Sequence, residues 1–461
     1  MIRPLQHGLD LSHPSLNAPF PYAYWPSKNF KVTQHSAQKR WGYNTYDRDL
    51  GTGVEVQAIV LYTIKSGTRS TLYLTRDYVD TTGNATADTI VGDLCLKKTG
   101  ASETFQYLTE MGTYDDTITG IVTDTVTAKA GTTFVTDGVA AGDYFILNDT
   151  TDFKYPNREP LTDTTQAKSC WMVIESVAQT ALTLKTTYPG TTSVASDTWG
   201  GSEKNALIRK TFKVPANERY FHMIAHDRFI FGSGGDNVKY WDGADYAEDL
   251  ESTATPPEVA VKARCGIPYA NRVFLADYGS TRDPLGIVWS KEGDSDDWTD
   301  STAGAGVLIE SRDFITGLGV VGGSLVIYKT DSIAFGHRTG VSATPISIPQ
   351  TRERRGIGLV APYSIIDHMG TNAFIGRNDF YIIEGDYPVA IGEKIRDKFF
   401  DIVDLDDIKT VYGFENNITN ELCWLASTSE GDLLFAWDYK LREWSVYDFA
   451  VDLITGGKGA I

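Results

Sequence analysis

The chain has 461 residues, 41% of them hydrophobic and 12% aromatic, with 42 basic against 60 acidic side chains and a net charge of −18. That length buries a sizeable core, as one large β architecture with an insertion or as two to three smaller domains. The acidic balance argues against a protein that grips DNA, because phosphate affinity comes from clustered Lys and Arg, whereas an acidic wall lets nucleic acid slide past.

Residues 1–50 read as an N-terminal arm. Its first twenty residues lack an apolar core of signal-peptide type, so export by that route is not expected, and no stretch of the chain is apolar for long enough to span a membrane. In "NAPFPYAYWPSKNF", Asn17 to Phe30, Pro and aromatic residues follow one another without periodicity. Such an arm either packs over its own fold or docks onto another subunit, and Tyr22, Tyr24 and Trp25 are its candidate contact residues. Residues 51–111 carry strand-like runs, "GVEVQAIVLYTIKSGTRSTLYLTRDYV" and "GDLCLKKTG". Residues 112–205 are rich in Thr, Val and Gly, a composition that favours pleated sheet, and read as a small inserted β-barrel or sandwich.

From residue 206 to 461 a loose repeat takes over. Strand, polar turn, strand and turn recur through "DRFIFGSGGDNVKYWDG", "NRVFLADYGSTRDPLGIVWSKEGD", "GSLVIYKTDSIAFGH", "TNAFIGRNDFYIIEGD" and "ELCWLASTSEGDLLFAWDYKLREWSVYD". Equivalent strand centres fall at Phe231, Leu275, Ile327, Ile375 and Leu425, steps of 44, 52, 48 and 50 residues. A period of this size with about four strands per unit points to an all-β fold, a β-propeller of about six blades, with seven as the other count. The early strands fall short of a full blade, and a C-terminal strand near Val451 to Thr455 is expected to pair with them and close the ring. One short helix is expected between Gly392 and Val403, where Ile395, Phe399 and Ile402 share a face.

The acidic stretch "VWSKEGDSDDWTD", Val288 to Asp300, occupies the position that "DGADY", "EGDYP" and "DYKLREW" hold in other units. An EF-hand loop needs D-x-[DN]-x-[DN]-G and a Glu at its twelfth position, and here Gly293 precedes mis-spaced aspartates. The stretch therefore reads as a polar turn, in which Asp and Gly tolerate left-handed backbone and Asp caps its own turn. Trp298 and Trp444, each following such a turn, are expected to be packed and not to contact a ligand.

Other chemistry is sparse. There is no P-loop, no dinucleotide fingerprint, no G-x-S-x-G elbow and no H-E-x-x-H. Cys95, Cys170, Cys265 and Cys423 lie far apart, which suits buried free thiols and not zinc. His222 and His226 at i, i+4 of a strand would share a face without a third ligand. Sixty acids allow many carboxylate pairs, so a glycosidase pair is not recognisable from sequence. "TRERRG" is the most unusual local charge, with Arg352, Arg354 and Arg355 in a strongly acidic chain. It is either a solvated connection or a contact with an acidic neighbour.

Three passages resemble a known group, the β-propeller virion proteins of tailed bacteriophages, including the tail nozzles (tail tubular proteins B) of short-tailed phages. They are "VFLADYG…GIVWSKEGDSDDW", "GIGLVAPYSIIDHMGTNAFIGRNDFYIIEGDYPVAIGEKI" and "LLFAWDYKLREWSVYD". "RNDFY" departs from the pattern, with Asp379 where the group often has Gly. "FVTDGVAAGDYF" in the insert looks like small β modules inserted in phage proteins. The resemblance implies a structural, non-enzymatic role without cofactor or metal. Copies, six by analogy, would form a homo-oligomeric ring below the portal and adaptor, folded in the host cytoplasm and carried in the virion tail. Tail fibres are further partners it allows, and double-stranded DNA would pass without tight binding. On that reading Arg352, Arg354, Arg355, Tyr22, Tyr24 and Trp25 would be subunit or luminal contacts. The rival class is a carbohydrate-active or glycan-binding β-propeller.

Overall fold

The computed structural model describes residues 30–32, 37–39, 54–65, 67–77, 95–99, 106–113, 118–122, 125–128, 133–148, 169–184, 197–198, 205–215, 218–243, 246–250, 262–279, 282–308, 313–349, 354–403 and 408–448. These fall into two compact units, one of residues 1–48, 217–240 and 249–456, the other of 49–216, 241–248 and 457–461. Strands dominate both, and none of the sheets closes on itself.

In the second unit, sheet 1 is a four-stranded meander of Val54–Thr63, Arg69–Asp77, Leu96–Thr99 and Gln106–Tyr107. The sequence expectation that the early strands fall short of a full sheet is corrected here. The fourth strand is a two-residue edge, too short to leave a pattern in the sequence. The strand expected at Val451 to Thr455 lies outside the described residues.

The same unit holds one eight-stranded antiparallel sheet between Met111 and Arg209. Its long central strand, Ser169–Val177, pairs with Tyr144–Asn148 on one side and Ala181–Leu184 on the other. A bulge between Ile174 and Ser176 offsets its register where the partner changes. The strands expected of a separate barrel or sandwich are thus joined into one open sheet, because this strand serves both halves. Phe134, Phe145, Ile146, Val173, Ile174 and Leu182 form its buried interior.

The first unit carries five meander sheets. Sheet 2 begins with Phe221–Ala225 and Arg228–Gly232, and sheet 3 runs through Ala263–Tyr269, Arg272–Tyr278, Asp283–Trp289 and Gly304–Val307. Sheet 4 contains Ile315–Val321, Ser324–Lys329 and Ser332–Arg338, and its outer position is split between Ile346–Ser347 and Arg354–Arg355. Sheet 5 is Ile366–His368, Thr371–Ile375, Phe380–Glu384 and Tyr387–Ala390. Sheet 6 is Tyr412–Asn416, Glu421–Thr428, Gly431–Asp438 and Glu443–Asp448. The five repeat centres read from the sequence all lie in the second strands of successive sheets.

The core of this unit sits between the sheets. One apolar cluster joins Ile230 and Val238 of sheet 2 to Val273, Leu275 and Val288 of sheet 3. The next joins Phe274 and Ile287 to Leu325 and Ile327 of sheet 4, and another joins Val326, Tyr328 and Phe335 to Phe374 and Tyr381 of sheet 5. A larger cluster joins sheets 5 and 6, where Phe380, Trp424, Trp444, Phe399 and Phe435 meet. A middle strand sandwiched on both sides buries consecutive residues, as all six of Ser324–Lys329 do. That explains why these strands read as apolar runs and not as strict alternation. The expected helix is Arg396–Ile402, with Ile395, Phe399 and Ile402 all buried.

Four of these sheets open with a two-residue hairpin, at His226–Asp227, Ala270–Asn271, Gly322–Gly323 and Met369–Gly370, and all eight residues have positive φ. Such turns match the twist of the flanking strands. The turns also touch one another, since Gly322 donates its N–H to Gly370 O and His226 Nε2 lies 3.3 Å from Asn271 Oδ1. They mark one common end of the sheets.

Candidate functional site

The acidic stretch of sheet 3 is a turn braced by its own side chains and by one ion pair to sheet 2. Asp297 Oδ1 accepts the N–H groups of Thr299 and Asp300, and Asp300 Oδ1 accepts the N–H and hydroxyl of Thr302. Asp294 accepts the Asp296 N–H, and Asp296 pairs with Arg228 at 3.2 Å. Lys291 sits 3.1 Å from Asp297 and 3.7 Å from Asp300. The Lys291 contact holds the Asp297 carboxyl below its usual range, and the Thr302 bonds do the same for Asp300. Beneath lies Arg272, fully buried, donating through Nη1 to Ser290 O and Thr302 O at 2.8 and 2.7 Å, and through Nη2 to Ser342 O at 3.0 Å. Each aspartate of the turn is engaged within the protein, and among the described residues no group of His, Cys, Asp or Glu is arranged to hold a metal ion. Trp298 is 5% exposed inside the apolar cluster of sheets 2 and 3. Trp444 is buried too, its indole N–H donating to Ile391 O at 2.8 Å.

Arg354 and Arg355 form a short strand that pairs with Ser332 and Ile333 of sheet 4. The segment is thus built into a sheet edge, and Arg354 lies over the Tyr387 ring of sheet 5 at 4.4 Å. Arg352, Tyr22, Tyr24 and Trp25 lie outside the described residues. His222 and His226 do not share a strand face, because the strand ends at Ala225 and His226 belongs to the turn. Burial lowers the His222 pKa.

Sequence reasoning passed over a polar cluster at the opposite end, where the leading strands begin. Tyr363, in the 3-10 turn Pro362–Ser364 before sheet 5, places its hydroxyl 2.9 Å from Glu218 Oε2. The same hydroxyl accepts the Arg219 N–H at 2.8 Å. Arg264 of sheet 3 closes on the other Glu218 oxygen at 2.5 Å and approaches Asp277 at 3.9 Å. Arg282 grips Asp277 through two parallel bonds of 2.5 Å, the fork geometry a guanidinium offers a carboxylate. The Arg219 guanidinium lies over the Tyr412 ring of sheet 6 at 5.7 Å.

Burial, reinforced by the Glu218 charge, pushes the Tyr363 phenol far above its ordinary value, and burial with Asp277 does the same to the Cys265 thiol. Both groups therefore stay protonated at neutral pH, which leaves them weak nucleophiles. Glu218 is the adjacent base that could take the phenol proton, but Arg264 holds it in an ion pair. No local motif announces this cluster, because Glu218 and Tyr363 are 145 residues apart. The available signal was positional, since Glu218, Arg264 and Tyr363 all lie at the entry to a repeat.

"APYS" proves to be a packing knot. Ser364 Oγ accepts the Ile375 N–H at 3.0 Å and donates to Ala361 O, while Ser364 O accepts the Trp424 indole N–H at 2.9 Å. Asp379, the departure noted in "RNDFY", is buried and accepts the N–H groups of Phe380 and Gly392 and one arm of Arg396. It ties the edge of sheet 5 to the helix.

No family model and no curated protein matches the chain. Among solved structures, it is similar to PorZ, a surface component of the type-IX secretion system of Porphyromonas gingivalis, at 13% identity and a TM-score of 0.29 over 73% of this chain and 38% of that one. The phage phi92 endosialidase gives 9% and 0.24 over 81% and 53%. The intramolecular trans-sialidase of Ruminococcus gnavus gives 12% and 0.26 over 87% and 96%. Scores of this size carry no argument about fold or function, and what the chain does has to be inferred from its own residues.

Proposed function

We propose that the chain is a structural, non-enzymatic virion protein of a tailed bacteriophage. On this reading the six meander sheets are the blades of one β-propeller, and about six copies close into a nozzle ring in the virion tail that conducts DNA during ejection. Portal and adaptor proteins, and tail fibres, are the neighbours it implies. The carrying observation is that the strongest polar constellations, the acidic turn and the Glu218 cluster, are engaged in holding sheets together. The phage context rests on the sequence resemblance, and the charge of −18 suits a wall that repels phosphate. Light scattering and particle imaging of the purified chain test it, with a closed ring expected. A monomer at every concentration would count against the ring.

A second reading has one observation in its favour, the Tyr363 and Glu218 pair flanked by Arg264. A propeller acting on carbohydrate would place a phenol and a carboxylate in this way. Fluorogenic sialosides and other glycosides decide between the two. Turnover that is lost in Tyr363→Phe would replace the structural reading, and its absence at high enzyme concentration would support it.

A further inference from the structure

We propose that the outer edge formed by Arg354, Arg355, Tyr387 and Val389 is a docking surface for a second copy of this acidic chain. The inference rests on the ring reading above and names one of its contacts.

Tyr387 begins the edge strand of sheet 5 and is 63% exposed, and Val389 two residues on is 38% exposed. Two residues apart on an extended strand, they stand on one face. The Arg354 guanidinium covers the tyrosine ring from the neighbouring sheet, and Arg355, the next residue of that short strand, is exposed. A stack of this kind spans two sheet edges and fixes a flexible arginine before any partner arrives. Pre-organisation lowers the entropy lost on binding. Tyr and Arg are also the residue types that dominate interface energetics.

The edge is built for side-chain contact and not for strand addition. Pro388 lies between the two exposed residues and is paired with Ile383 of the adjacent strand. A proline at an edge blocks a further ladder. The partner's chemistry follows from charge. A basic and aromatic edge on a chain with a net charge of −18 is complementary in sign to that chain as a whole, so a second copy is the occupant this argument favours over an unrelated protein.

Sedimentation and light scattering of the full chain across a concentration series, at low and high salt, provide the test. Three variants are compared: Arg354→Glu with Arg355→Glu, Tyr387→Ala, and Arg354→Lys with Arg355→Lys. The first two are expected to weaken assembly at least about tenfold with unchanged melting, as loss of an interface anchor does. The lysine pair should fall between, since it keeps the charge and loses the planar stack. If the wild type assembles and all three variants assemble equally well, this patch is not the contact and the ring reading survives. A wild type that never assembles overturns both. A duplex mobility shift by the wild type that the Glu pair abolishes would reassign the patch to nucleic acid and overturn the proposal.

Discussion

Arg272 shows how a single charged side chain can hold a turn without acting as a site. Its guanidinium reaches three backbone carbonyls on two different loops, two of them in the acidic turn and one at Ser342. Arg272→Ala strands those carbonyls and is expected to cost on the order of 3 kcal/mol in urea unfolding. Arg272→Lys should recover only part, because an ammonium cannot serve the same fork. Trp444→Ala removes an indole from the cluster of Phe380 and Trp424 and should destabilise by about 3–5 kcal/mol, measured in the same way. Tyr363 adds a pH dependence. Its raised pKa means that the folded state keeps a proton which the unfolded state sheds above about pH 10, so its contribution to stability falls as pH rises past that point. Tyr363→Phe should flatten the alkaline limb of a plot of Tm against pH; an unchanged limb would assign it elsewhere.

Among the elements, the opening hairpins carry a testable strain. Met369 has φ 50° and is 81% exposed, where a glycine or asparagine would sit without penalty. Left-handed backbone costs an ordinary side chain roughly 1–2 kcal/mol, so Met369→Asn should raise the melting temperature. The two-residue turns were visible in the sequence as His-Asp, Ala-Asn, Gly-Gly and Met-Gly. The repeat reading nevertheless starts at the second turn residue in three of them, Asp227, Asn271 and Gly323, and after the turn at Thr371 in the fourth, because the apolar second strands stand out more than the turns do. The helix was legible for a similar reason, since Ile395, Phe399 and Ile402 recur at helical spacing. Gln106–Tyr107 and Arg354–Arg355 were not, because a two-residue strand takes its identity from its neighbour and has no periodicity of its own. The acidic turn was readable because Asp and Gly act locally. The Glu218 cluster is assembled by tertiary packing between distant repeats, so no local motif marks it and only the shared position of its members at the entry to a repeat hints at it.

For the molecule as a whole, the surplus of acid over base makes a specific prediction about nucleic acid. The isolated chain should show negligible affinity for duplex DNA at physiological salt, read by mobility shift. Tight, salt-sensitive binding would contradict an acidic conduit wall. The repeat was legible at this scale because sheets stacked face to face bury whole middle strands, and five apolar runs at near-equal steps are hard to hide. The eight-stranded sheet was legible only as β structure. Its strands share one central strand, and which strands share it is decided by pairing across the fold, not by composition.

The Tyr363 contact works as a clasp. Its hydroxyl belongs to the approach to sheet 5 yet touches the approach to sheet 2, with sheets 3 and 4 between them in chain order. One phenol therefore closes a loop of 145 residues. The first and fourth members of a run of stacked sheets are held to each other directly, and not only through the two that lie between them in the chain.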